Sequence, residues 1–188
     1  IMASRDSEAS FPEPTHFSPQ FLNGVLKPWV TVQEAISDLP EPTYKDDKLG
    51  GQSLELYPRV ALSSYARKLR SNEHFPYNHV TRHYSDQIMR TISEMQQGET
   101  WDHASERIRA AYDDLVEQQM LPHEKRDDVI DRLIDEGLIN PVFYKRYYWS
   151  AYTRLAWGQP ALTITANANF LGSGRFTHPE KNRGITMR

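Results

Sequence analysis

Three groups of side chains in this 188-residue chain have types and spacing that invite chemistry: clustered histidines, paired carboxylates, and arginines set among aromatics. His74, His79 and His83 fall within ten residues, and metal sites use such clusters. Their spacing, H-x4-H-x3-H, lacks a fixed partner acid, and Pro76 breaks any helix joining the first two. No metal site is expected; the stretch reads as a polar loop in which His79 orients backbone. Asp113-Asp114 and Asp127-Asp128 lie on the polar side of amphipathic patterns. They read as a charged surface and not as general acids. The chain has no cysteine, which removes disulfides, thiolate metal ligands and thiol nucleophiles together. No catalytic residue is therefore assigned.

The arginines are less easily dismissed. Residues 141–188 carry Lys145, Arg146, Arg154, Arg175, Lys181, Arg183 and Arg188 against the single acid Glu180. The other 140 residues carry 15 basic and 24 acidic residues, so a net charge of −3 hides a −9 body and a +6 tail. Phe143, Tyr144, Tyr147, Tyr148, Trp149, Tyr152 and Trp157 crowd the same tail. A basic, aromatic segment suits a polyanion, with arginines for phosphates. It equally suits an aromatic core with solvated arginines. Thr163 and Thr165 alternate with apolar residues, so one face of a strand is buried and one presented. In the stretch Asn167 to Gly174, small residues let backbone approach a groove. Asn167, Asn169 and Ser173 offer base-edge donors and acceptors, and Phe170 offers a wedge or methyl contact.

The elements that must hold these groups are short. Hydrophobic content is 38% and mean hydropathy −0.70, low for a self-contained globule. Eight of the twelve prolines lie at or before Pro76, which makes the first third loop-rich. Residues 1–4 read as a strand end and residues 5–28 as a connector. Thr31 with Glu34 forms a capping box for a helix over Val32 to Asp38, stopped by Pro40. Residues 40–58 are turn-rich, Gly50-Gly51 included. Positions 60–70 suit a short helix with basic ends. Ser85 or Asp86 caps a helix with Ile88, Met89, Ile92 and Met95 at 3.6 spacing, ended by Gly98.

Between Thr91 and Asn140 thirteen acids face five basic residues. Ala104, Ile108, Ala111 and Leu115 line one helix face. A second helix, about Lys125 to Glu136, buries Val129, Ile130, Leu133 and Ile134, with Gly137 as its cap and Asn140-Pro141 after it. An acidic helical hairpin is expected, followed by two strands near 161–166 and 175–178. No run of about 18 apolar residues exists, so no membrane span is expected. No secretory leader is expected either, because the start is too short and ends in charge.

Several segments resemble, in order, the C-terminal part of DNA cytosine-5 methyltransferases. Arg154 to Trp157 matches that family's R-L-x-W, and Pro160 to Thr165 its P-A-x-T-I-T strand. His178 to Arg183 matches its H-P-x-x-x-R segment, and Thr186 to Arg188 the start of its T-x-R-E-x-A-R-L helix. Earlier, Phe11 to His16 resembles its F-P-x-P-T-H turn, and Thr31 to Pro40 its V-x-x-A-I-x-D-L-P element. Tyr65 to Arg70, Asn78-His79 and Gln97 to Trp101 resemble the segment before its variable region. The likeness omits about 50 residues, from His103 to Tyr148. The run from Trp149 to Arg188 most resembles the fungal branch linked to repeat-induced mutation and premeiotic methylation.

The resemblance implies an α+β fragment, the target-recognition region of a Rossmann-like α/β methyltransferase that uses S-adenosyl-L-methionine. It divides the chain into 1–30 (a strand end of the catalytic domain and a connector), 31–102 (the first part of the recognition region), 103–140 (an acidic helical insert) and 141–188 (the recognition segment leading into the conserved helix). The family's enzymes flip cytosine out of the duplex and attack C6 with a thiolate. The matching thiol and cofactor loop are absent from this sequence, so the chain alone is expected to be inactive, its cofactor held by other parts of a parent enzyme. The abrupt ends suggest a piece of that parent. The implied partner is double-stranded DNA and the implied location the nucleus, with no membrane contact. The implied DNA-binding residues are Arg154, Thr163, Thr165, Asn167, Asn169, Phe170, Ser173, Arg175 and Arg183. Some maintenance-type members carry Met-x-Lys-Gln where this chain has Phe170 to Ser173, so no CpG preference transfers. A different reading is a non-enzymatic DNA-binding module or degenerate remnant, with the acidic helices as a protein-interaction surface.

Overall fold

The computed structural model describes residues 13–18, 27–44, 56–58, 60–61, 63–70, 74–164 and 170–188. It divides into two units, Ile1–Val30 and Thr31–Arg188. The expected strand end at 1–4 and the turn at Gly50-Gly51 lie outside the described residues. In the first unit β1 (His16–Phe17) pairs in parallel with β2 (Lys27–Pro28), opposing His16 to Lys27.

The second unit is an α+β mixture in which helices dominate. Its first helix, α1 (Val32–Ile36), begins where the sequence places it: Thr31 and Glu34 form a reciprocal capping box. The helix is two residues shorter than expected. Strand β3 (Thr43–Tyr44) pairs in parallel with β4 (Val80–Thr81), and the crossover between them contains α2 (Ser64–Leu69), capped by Ser63. Helix α3 (Asp86–Glu94) is capped by Ser85 and closes at Met95, before Gly98. Of its expected apolar face, Ile92 and Met95 are buried while Met89 is exposed.

Helices α4 (Trp101–Gln119) and α5 (Arg126–Asp135) form the acidic hairpin. Their core is Val116, Val129, Leu133 and Ile139. The face of α4 departs from expectation. Trp101, Ala104, Ser105, Ile108 and Val116 are buried, Tyr112 is half-buried and Ala111 is exposed. The large residues Tyr112 and Val116 set the rotation of the helix, because burying them removes far more apolar area from water than burying an alanine. Gly137, at φ +73°, takes the left-handed cap position after α5, and its amide donates to the Ile134 carbonyl. Asn140 then accepts from the Val142 amide at 3.1 Å and starts a 3-10 turn over Pro141–Tyr144.

The larger core sits where α3, α4 and the C-terminal segment meet. Trp101 stacks on Phe143 with ring centres 5.1 Å apart, and Tyr147 and Tyr152 pack against the same indole. Burial of these rings stabilises the unit beyond their area through offset and edge contacts of about 1 kcal/mol each. No described helix is long and apolar enough to cross a membrane.

The two C-terminal strands do not form among the described residues. Residues 161–164 have irregular backbone and all four are exposed, Ile164 at 54%. An alternating pattern buries one face only when a neighbouring strand supplies the ladder and a layer covers that face. Thr177 instead makes isolated bridges, parallel with Arg154 and antiparallel with Gly184. Thr186 to Arg188 are also non-helical.

Candidate nucleic-acid interface

Arg154 is the centre of the C-terminal segment. It lies just after Tyr152, whose φ of +54° is strained for a bulky residue and is held by packing against Trp101 and Tyr147. The backbone of Arg154 pairs both ways with the turn after α3: Gly98 N–H donates to its carbonyl at 2.9 Å, and its own N–H donates to Glu99 at 3.2 Å. Its guanidinium is closed in. Nη1 donates to the carbonyls of His178, Pro179 and Lys181, and Nη2 donates to the Ile92 carbonyl and to Asn182 Oδ1. None of these acceptors is a carboxylate, and burial alone pushes the arginine pKa down.

This corrects the expected phosphate contact at Arg154. The residue is 4% exposed, and its fork is filled by main-chain oxygens. Arg183 is half-buried and lies beside Glu41. Its side chain is largely covered, its Nη1 donates to the Gly184 carbonyl, and its Nε lies 3.7 Å from Glu41 Oε2. Glu41 also binds Lys181 Nζ at 2.9 Å, and that bond chiefly holds its carboxyl below the usual range.

The two histidines of this frame are structural as well. His79 Nε2 lies 2.6 Å from the Pro40 carbonyl, so it carries the proton, and neutral Nδ1 accepts from the Thr186 hydroxyl at 2.8 Å. His178 Nδ1 accepts from the amides of Glu180 and Lys181, and its ring meets Trp157 edge-on. Burial, then the charge of Arg183, pushes His178 down to about 4. His83 stacks on Tyr44 with ring centres 4.0 Å apart, far from any shared ligand geometry. Among the described residues no group of three or more histidines and acids converges on a metal position.

Of the remaining predicted residues, Thr163 and Phe170 are exposed, Ser173 and Arg175 are half-buried, and the others lie outside the described residues. Phe170 is 43% exposed. The Ser173 hydroxyl donates to the Phe170 carbonyl at 2.7 Å, which closes the short 3-10 turn Leu171–Ser173. Arg175 lies with its guanidinium carbon 4.9 Å from the Trp149 ring centre. Thr165, Asn167 and Asn169 lie outside the described residues.

The aromatics of the tail divide between the two readings open to them. Phe143 and Tyr152 are core, while Tyr148 and Trp149 are exposed at 47% and 51%. Lys145 and Arg146, on the same run, are exposed too. These residues belong to the basic, aromatic tail but lie outside the family-matched motifs. Adjacent Lys145-Arg146 and Tyr148-Trp149 pairs were the available signal.

No family model matches this chain, and no solved structure matches it. Over 41 residues it is 49% identical to the Type II methylase M.HgiDII of Herpetosiphon aurantiacus. Part of this chain is methylase-like. That likeness spans 22% of the chain and 12% of the bacterial protein's length.

Proposed function

We propose that this chain is the target-recognition portion of a DNA cytosine-5 methyltransferase, of the fungal branch its C-terminal run resembles. Its role is to hold double-stranded DNA, in the nucleus, around a flipped cytosine. The observation that carries the reading is the closure of the motif-bearing segments on one another. Arg154 of R-L-x-W binds the carbonyls of His178 and Pro179 in H-P-x-x-x-R. The amides of Val32 and Gln33, in the V-x-x-A-I-x-D-L-P element, donate to Gln159 and Trp157 at 2.8 and 3.0 Å. His79 joins Pro40 to Thr186. Segments far apart in sequence thus build one frame from which 161–164 and Phe170 project, and the methylase-like stretch agrees with that parentage.

Methyl transfer belongs, in this reading, to residues outside the sequence. The donor would be S-adenosyl-L-methionine held by the parent enzyme. The sequence carries no G-x-G-x-x-G fingerprint of the kind that cradles a nucleotide cofactor, which agrees with placing the cofactor in other parts of the parent. The purified chain is expected to bind duplex DNA with an affinity that falls steeply with salt, and to transfer no labelled methyl group, because it has no thiol. Fluorescence anisotropy and a methyl-transfer assay on the same preparation check both. Absence of duplex binding at low salt would remove the reading. A second reading, a DNA-binding module with a protein-facing hairpin, draws on the exposed Met120, Leu121 and Leu138 beside the acids of α4 and α5.

A further inference from the structure

We infer that Lys145, Arg146, Tyr148, Trp149 and Arg175 form a grip on the phosphate backbone of duplex DNA. The inference rests on the DNA-binding reading and adds Lys145, Arg146, Tyr148 and Trp149 to Arg175 as its backbone contacts. Trp149 and Tyr148 remain half exposed although Trp101, Phe143 and Tyr152 from neighbouring positions are buried. The backbone turn that presents them is fixed at both ends: Trp101 N–H donates to the Trp149 carbonyl at 2.9 Å, and Ala151 N–H donates to the Tyr148 carbonyl at 2.9 Å. Their exposure is therefore built in by the turn.

Arg175 lies on the Trp149 ring. A cation over an indole is worth about 0.5–1 kcal/mol at an exposed site and leaves the N–H edge of the guanidinium directed outward. A planar fork held by one face is preorganised for a phosphate. The charge around it points the same way. Some arginines elsewhere pair with acids, as Arg70 does with Asp38, Arg90 with Glu94 and Arg107 with Glu99, while Arg154 is held by carbonyls. Among the described residues Arg175, Arg146 and Lys145 meet no carboxylate within ion-pair distance. The single acid in this part of the sequence, Glu180, accepts from Trp157 Nε1 at 2.7 Å. Residues 165–169, beside Phe170, carry no charge. Cations that pair with no carboxylate, one of them lying on an exposed indole, fit the regular phosphates of a duplex.

The test uses the 188-residue chain with a fluorescein-labelled duplex, titrated at several salt concentrations from about 50 to 200 mM. Lys145→Gln with Arg146→Gln, and separately Arg175→Gln, are expected to weaken binding several-fold for every duplex sequence. Each lost phosphate contact should lower the salt slope by about one unit. Arg175→Lys keeps the charge and should keep the slope, which separates a phosphate contact from a folding defect. Duplex should also quench part of the tryptophan emission in the wild type, and Trp149→Phe should remove that part. Wild-type affinity and slope in Arg175→Gln and in the Lys145/Arg146 double variant would overturn the inference and leave the DNA-binding reading standing. A wild-type chain that binds no duplex would overturn both. Tighter binding of the single strand than of its duplex would overturn the duplex as occupant.

Discussion

Arg154 ties α3 to the segment from His178 to Asn182. Its donors reach Ile92 in α3, Asn182, and the main chain from His178 to Lys181. Arg154→Ala strands buried carbonyls, so it should cost about 3 kcal/mol or more, read as a fall in the denaturant midpoint. Arg154→Lys keeps the charge but not the planar fork and should still cost about 2 kcal/mol. If Arg154→Ala left stability unchanged while lowering the salt slope of DNA binding, the phosphate role would be restored. His178 makes a second prediction at this scale. Its folded pKa of about 4 lies below an unfolded value near 6.5, through burial first and then Arg183 and Lys181, with Glu41 opposing. Between those values the unfolded chain binds the extra proton, so stability is full above about pH 6.5 and falls as pH drops. The loss reaches about 2 kcal/mol near pH 5. His178→Asn, which keeps an acceptor near Nδ1 without a titrating ring, should flatten the difference between midpoints measured at pH 7 and pH 5.

At the scale of elements, two glycines separate conformational strain from crowding. Gly137 ends α5 at φ +73°, and an added Cβ would meet nothing within 4 Å. Gly137→Ala should cost about 1 kcal/mol from backbone conformation alone. Gly174 has φ −179°, an extended value open to any residue, but an added Cβ would sit 2.2 Å from the Phe176 ring. Phe176 is fully buried in the larger core. Gly174→Ala should therefore cost more, about 2–3 kcal/mol, because the ring cannot move without opening that core. Chemical denaturation of the two variants side by side checks the order. The hairpin α4–α5 was readable because its apolar residues recur at helical spacing and its acids fill the other face. The rotation of α4 was not, since Ala111 and Tyr112 are neighbours and the packed partner decides which one turns inward.

At the scale of the molecule, the hairpin is acidic and the C-terminal segment is basic, within one unit. Asp127, Asp128 and Asp131 are exposed on α5. Their field opposes a polyanion, so replacing all three with Asn should tighten duplex binding about two- to three-fold at low ionic strength. The gain should vanish above about 0.3 M salt, where the Debye length drops below the spacing between exposed charges. Anisotropy titrations at two salt concentrations measure it. A loss of binding in this variant would instead place the contact on the hairpin.

By itself, the sequence determined the helices, their caps and the charge division. These are local properties: Thr31 and Glu34 close a capping box three residues apart, and α5 repeats its apolar residues every turn. Tertiary structure alone decided which basic and aromatic residues are structural and which are available. Arg154 and Arg175 look alike in a string of letters. One reaches a pocket lined by carbonyls from two other segments, and the other lies on an exposed indole. The 161–164 stretch failed as a strand for the same reason, since an alternating pattern needs a partner that only the folded chain supplies. Side-chain fate at these positions depends on contacts distant in sequence, and no local pattern encodes them.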